Sequence, residues 1–147
     1  MNPRRKKLRG PDAAFGPPER SGDNVENVSV VRSRLPTGFQ LRVLGSPSEA
    51  AQKLLDTAIA PPGSGRTARL IAASEAIRGK LPAADGGLCY EFEYSLTRTD
   101  GRQIRNIAVI AARNGELFTL TVLAPEAEWP GKEEVLRQVQ ASFRLLE

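Results

Sequence analysis

The 147 residues include no histidine and one cysteine, Cys89. The commonest general base and the commonest transition-metal ligand are therefore missing, which excludes His-dependent triads and zinc sites built on His. A lone cysteine cannot close an intrachain disulfide. No apolar run is long enough to cross a bilayer. What remains is ordinary globular material: 40% hydrophobic and 26% charged residues, in a length that suits one domain with one core.

Outside a short stretch the two signs of charge nearly cancel. The net charge is +4, but Arg4, Arg5, Lys6, Lys7 and Arg9 carry five of the 21 basic charges; without them 16 basic residues face 17 acidic ones. The basic character belongs to a tail and not to a folded face. Such an arm suits docking on an acidic surface, or it is simply a solvated terminus. Residues 1–24 are rich in Pro, Gly and charge and read as a mostly disordered N-terminal segment, with the folded domain at 25–147. No targeting signal is visible in the chain as given: Arg4-Arg5 has no hydrophobic segment after it.

The periodicities alternate between strand and helix. Val25, Val28, Val30 and Val31 mark a first strand; the Asn27-Val28-Ser29 sequon inside it reads as coincidence. Ser46, Pro47 and Glu49 form a capping box with proline in the first turn, and Ala51, Leu54, Leu55, Ala58 and Ile59 then share one helical face up to Pro61-Pro62. Residues 67–76 read as a strand and 77–87 as a turn-rich connection. In residues 88–97, Leu88, Tyr90, Phe92, Tyr94 and Leu96 alternate with Cys89, Glu91, Glu93 and Ser95. A turn at Thr99-Asp100-Gly101 leads into a strand over 105–113. Asn114-Gly115 then predicts a tight hairpin into a strand over 116–123, apolar on both faces. A last helix from about 130 to 145 buries Leu136, Val139 and Phe143, flanked by Val135 and Leu146. The pattern predicts an α+β fold: a central antiparallel sheet with a helix on each face, an α/β/α sandwich.

Few residues carry chemistry. Gly63-Ser64-Gly65-Arg66 could hold an anion, but it lacks the phosphate-loop spacing and lysine and reads as a turn, with Arg66 left as a docking residue. Glu91 and Glu93 share a strand face and are the candidates for a bound cation; the alternative is a solvated face. Cys89 reads as a small buried side chain, and Trp129 as a core staple or a contact anchor for a partner. The Tyr90, Phe92, Tyr94 stripe is core and no stacking platform, so no nucleic-acid partner is expected from the folded part.

Several blocks, in order, resemble the PsbP domain family of photosystem II extrinsic proteins and their thylakoid-lumen relatives, above all its cyanobacterial and algal PsbP-like branch. They are Glu26-Asn-Val-Ser-Val-Val31, Leu44-Gly-Ser-Pro-Ser-Glu49, Ile59-Ala-Pro-Pro-Gly-Ser-Gly-Arg66, Tyr90-Glu-Phe-Glu-Tyr94, Gly115-Glu-Leu-Phe-Thr-Leu120 and Glu128-Trp-Pro130. The resemblance implies an α/β/α sandwich, no catalytic residues and no enzymatic activity. It implies a peripheral role in the thylakoid lumen of a chloroplast or cyanobacterium, as an extrinsic or assembly accessory of photosystem II and its oxygen-evolving complex. It carries calcium at family level only, and no carboxylate group here has calcium-loop spacing. Where the family opens with an aromatic hairpin, residues 1–8 are basic and lack aromatics, so the first hairpin is expected to be missing. Two other readings stay open: assembly of another photosynthetic complex such as photosystem I, and a basic-armed binder of nucleic acid or acidic protein.

Overall fold

The computed structural model describes residues 13–15, 27–36, 39–77, 87–113 and 115–143. Six strands form one antiparallel sheet in the order β1-β2-β6-β5-β4-β3. They are β1 Ala13–Phe15, β2 Asn27–Arg34, β3 Thr67–Ile77, β4 Leu88–Thr97, β5 Gln103–Arg113 and β6 Glu116–Pro125. β3 to β6 form a meander, and β2 returns beside β6, with Val30 opposite Leu120. Helix α1, Pro47–Leu54, lies in the β2–β3 connection, and α2, Trp129–Ser142, follows β6. No described helix is long and apolar enough to cross a membrane.

The alternation in β4 divides the core in two, as a period of two must. Leu88, Tyr90, Phe92 and Tyr94 join Ala108, Ile110 and Ala112 of β5 under α1, where Ala50, Ala51 and Leu55 are buried. Cys89, Ile107, Val109, Ala111, Leu120, Val122 and Ala124 face the other way, against Trp129 and Leu136 of α2. β5 is covered on both faces, which is why its apolar run is nearly continuous. The predicted α/β/α sandwich is the observed one.

The capping box forms as its residues dictate. The Glu49 amide donates to Ser46 Oγ at 3.2 Å, and Glu49 Oε1 accepts from the Ser46 amide at 3.1 Å. The Ser46 backbone hydrogen bond, then its hydroxyl, holds the Glu49 carboxyl below its usual range. The β5–β6 hairpin closes with Arg113 opposite Glu116 and Gly115 at φ 76°, a conformation that suits glycine; Asn114 lies outside the described residues.

Three expectations need correction. Ala13–Phe15, inside the segment read as mostly disordered, pairs with Val28 to Val30 as an edge strand; the rest of residues 1–24 lies outside the described residues, as does Leu146. The first helix ends its α geometry at Leu54 and widens into a π turn over Leu55–Ile59. A π turn holds more residues per turn, so the phase slips and Ala58 points to solvent while Leu55 stays buried. α2 begins at Trp129 and stops at Ser142, leaving Phe143 in extended backbone and only half-buried. Phe92 and Leu136 lie in different clusters, with the sheet between them.

Burial has a titration consequence. Tyr94 sits in the α1-side core, and desolvation pushes its phenol up to about 12. The unfolded chain ionises Tyr94 near pH 10 while the folded chain keeps it neutral. This contribution is therefore intact below pH 10 and is lost as pH rises from about 10 to about 12, on the order of 3 kcal/mol. Urea unfolding followed from pH 9 to 12 is expected to show that slope, and Tyr94→Phe to flatten it; an unchanged slope in the variant would count against the assignment.

Candidate functional site

The face of the sheet under α2 is only partly covered. α2 packs on β5 and β6, and over β4 the alternation that buries Tyr90 on the far side turns Glu91, Glu93, Ser95 and Thr97 toward this face. Strand register then stacks polar rows across it. Thr67, Thr97 and Gln103 stand in one row, and Arg69, Ser95 and Arg105 in the next. Glu93 is the diagonal neighbour of Arg105, within reach of long side chains.

Five of these charges form one network between sheet and helix. Arg105 spreads its fork over two carboxylates: Nε and Nη2 grip Glu126 at 3.0 and 2.5 Å, and Nη1 donates to Glu93 Oε2 at 2.7 Å. Arg137, on α2, donates through Nη2 to the other Glu93 oxygen at 2.8 Å and through Nε to Glu133 at 2.7 Å. Glu133 and Arg137 are four residues apart on the helix, the spacing at which such pairs meet. The Glu93 side chain is only 12% exposed and that of Arg105 20%, so the attraction is screened less than at an open surface.

Both arginines also stand over Trp129. Their guanidinium carbons stand 5.5 and 5.9 Å from the indole centroid, within cation–π range. The ring is 4% exposed. Its Nε1–H is buried with no hydrogen bond of good geometry, although it leans toward Glu133, whose carboxyl feels it. Trp129 is therefore the core staple and not an exposed contact anchor.

The ion pairs set the protonation behaviour. The Arg137 hydrogen bond, ahead of other causes, holds the Glu133 carboxyl below its usual range. The Glu126 hydrogen bond is the largest cause raising Arg105. For Arg137 desolvation pulls downward first, and the hydrogen bonds it donates to Glu93 and Glu133 outweigh it, so its pKa is raised.

This geometry does not fit the cation suggested for Glu91 and Glu93. Both Glu93 oxygens are occupied by guanidinium groups, and Glu91 stands a row away, opposite Ser74 and Val109. Among the described residues no group of three or more His, Cys, Asp or Glu side chains could hold a metal. The donor set does not suit the calcium that the family resemblance carries. Cys89 is 2% exposed and its Sγ–H donates to the Gly87 carbonyl at 3.7 Å, a packed thiol.

Arg66 is exposed at the end of the 61–66 loop, which is a turn: the Ser64 amide donates to the Pro61 carbonyl at 3.1 Å and the Arg66 amide to Ser64 Oγ at 3.2 Å. Arg4, Arg5, Lys6, Lys7 and Arg9 lie outside the described residues. Sequence reasoning missed Arg69, Arg105 and Arg137. The Glu133–Arg137 spacing was readable. The Glu93–Arg105 pairing was readable only after the hairpin at Asp100-Gly101 fixed Ser95 opposite Arg105.

Beside the network is a shallow cleft of about 290 Å³, lined by Thr67, Arg69, Ser95, Thr97, Gln103 and Glu126. Its donors are hydroxyls, an amide and one guanidinium. That set suits polar recognition.

Comparison with known proteins places this architecture. The PsbP family profile matches residues 4–145. CyanoP of Thermosynechococcus vestitus is 38% identical over 125 residues, covering 82% of this chain and 65% of that protein. The chloroplastic PsbP domain-containing protein 7 of Arabidopsis thaliana is 30% identical over 145 residues, covering 99% of this chain and 50% of its own length. The chain thus spans about half to two thirds of the length of the curated relatives it matches. The solution structure of CyanoP from Synechocystis superposes with a TM-score of 0.66 at 23% identity, covering 91% of this chain and 81% of that one. A Pseudomonas aeruginosa protein of unknown function shares the fold at a TM-score of 0.61 and 18% identity, covering 95% of this chain and 86% of that one. At these identities the structures speak for the fold alone.

Proposed function

The chain belongs to the PsbP family, and from that premise we propose that it is a non-enzymatic extrinsic or assembly accessory protein of photosystem II, held peripherally on the lumenal side of the thylakoid membrane. The match over residues 4–145 carries this reading. Relatives named CyanoP, from cyanobacteria, and chloroplastic PsbP proteins support the compartment. The chemistry of the described residues agrees with a binding role: the one thiol is packed away, Glu93, Glu126 and Glu133 are paired with arginines, and the chain has no histidine. Docking is by surface charge, with the sandwich as a rigid body.

The protein is expected to co-purify with thylakoid membranes and to leave them in a high-salt or alkaline wash, because exposed charge pairs are screened by salt. Cys89→Ser should leave that association intact. Recovery in a cytosolic or nuclear fraction, with none on thylakoids, would sink the proposal.

A further inference from the structure

The cleft beside the network has two unlike walls and a floor of hydroxyls. β4 supplies the floor with Ser95 and Thr97. On one side β3 brings Thr67 and Arg69, which pair across the ladder with Thr97 and Ser95. On the other side stand Gln103, at the start of β5, and Glu126, just past the end of β6. β4 lies between β3 and β5, so the backbones of these two strands are two strand spacings apart, roughly 9.5 Å. Among the described residues lining the cleft, Arg69 is the only cation, and it has no carboxylate partner. Glu126 is paired: Arg105 donates to its two oxygens at 3.0 and 2.5 Å, and each oxygen keeps a further lone pair. The cleft is therefore polar in a directional sense. It has donors alone at Arg69, and it has acceptors at Glu126 and on the Gln103 amide.

We propose that the cleft is a binding site for a small hydroxycarboxylate of the sugar-acid class. Its carboxylate sits on Arg69, and its hydroxyls run over Ser95 and Thr97 toward Gln103 and Glu126. The functional groups select this class. A guanidinium presents parallel donors that fit a carboxylate. Serine and threonine hydroxyls and a glutamine amide both donate and accept, as ligand hydroxyls do. An ionised glutamate only accepts, so that end takes a hydroxyl and repels a second anion. A dicarboxylate is disfavoured by the same residue, and a doubly charged phosphate by the single guanidinium it would meet. Among the described residues no aromatic ring lines the cleft, so a neutral sugar has no ring face to stack on. The volume of about 290 Å³ is at the low end for small-molecule pockets, which suits a short acid and not a nucleotide. The site stands on the cleft alone and is independent of the thylakoid role proposed above.

The test titrates the full chain with gluconate and follows the backbone amides by proton–nitrogen correlation NMR. Saturable shifts centred on Arg69, Ser95, Thr97 and Gln103 are expected. Arg69→Gln should weaken binding about tenfold or more, the loss of a charge-assisted fork. Arg66→Gln, an equal charge loss on the neighbouring loop but outside the cleft, should change it less than about twofold. Both arginines are exposed, so both variants should melt like the wild type. Sorbitol, the same chain without a carboxylate, should bind at least about tenfold more weakly. Glucarate, with a carboxylate at each end, should bind no more tightly than gluconate. Equal losses in the two variants would mean nonspecific charge attraction and would overturn the proposal. So would equal binding of sorbitol and gluconate, which would leave Arg69 without its role. Inorganic phosphate binding as tightly as gluconate would mark a plain anion site and overturn the hydroxyl recognition. Shifts that do not saturate, or that fall elsewhere on the fold, would overturn it outright.

Discussion

Phe92→Ala is expected to destabilise the fold by about 3–5 kcal/mol and Leu136→Ala by about 2–5 kcal/mol, the cost of lost burial plus an unfilled cavity. Phe92 is 2% and Leu136 1% exposed. The two occupy different clusters, Phe92 beneath α1 and Leu136 beneath α2, with the sheet between them. Their effects should therefore add in the double variant to within a few tenths of a kcal/mol, as they do for sites that share no partner. Denaturant unfolding of the two single variants and the double variant reads this directly. Phe143→Ala should cost less than either, because α2 ends before it and the ring is only half-buried. A coupling above about 1 kcal/mol between Phe92 and Leu136 would show one continuous core instead of two.

That division explains what the sequence could and could not convey. β4 alternates so cleanly that its two faces were legible at once, and the Asp100-Gly101 and Asn114-Gly115 turns set the registers on both sides of β5. The capping box at Ser46 is a local device and needs no tertiary context, so it formed as read. Which helix covers which face is not local. Phe92 and Leu136 are both apolar at the right periodicity, and nothing in either element says that they look in opposite directions. β1 is three residues long and takes its place from β2, and its own propensity gives no signal. The slip from α to π geometry after Leu54 has no composition cue either.

The charged site was harder to read for a related reason. Glu93 was visible as a carboxylate on a strand face, but its meaning depends on Arg105 twelve residues away and Arg137 forty-four residues away. Read alone, two glutamates on one face suggest a cation. With two guanidinium groups on Glu93, the same residue becomes a tie between strand and helix. Trp129 changes reading in the same way: a lone tryptophan before a proline fits a contact anchor or a staple, and the flanking arginines decide for the staple.

Arg105→Ala is expected to cost about 2–4 kcal/mol, the largest effect of any charged residue in the network. Its removal strips Glu126 of its fork and leaves Glu93, 12% exposed, with one partner instead of two. Breaking a buried pair costs about 3–5 kcal/mol, and the partial exposure of Arg105 and Glu126 reduces that figure. Arg105→Lys should recover only a minor part, because an ammonium cannot hold both Glu126 oxygens and Glu93 at once. Arg137→Ala should cost about 1 kcal/mol, since its side chain is 42% exposed and Glu93 keeps Arg105. The pH dependence separates the two arginines. Glu133 is held below its usual range by Arg137, so its contribution is present above the unfolded carboxylate pKa of about 4.3 and is lost as pH falls through the lower folded value. Arg137→Ala should remove that part of the acid slope, and Arg105→Ala should leave most of it in place. Thermal melts from pH 7 down to pH 3 on both variants make the comparison. If Arg105→Ala melts like wild type at neutral pH, the network is surface decoration and α2 is held to the sheet by Trp129 and Leu136 alone.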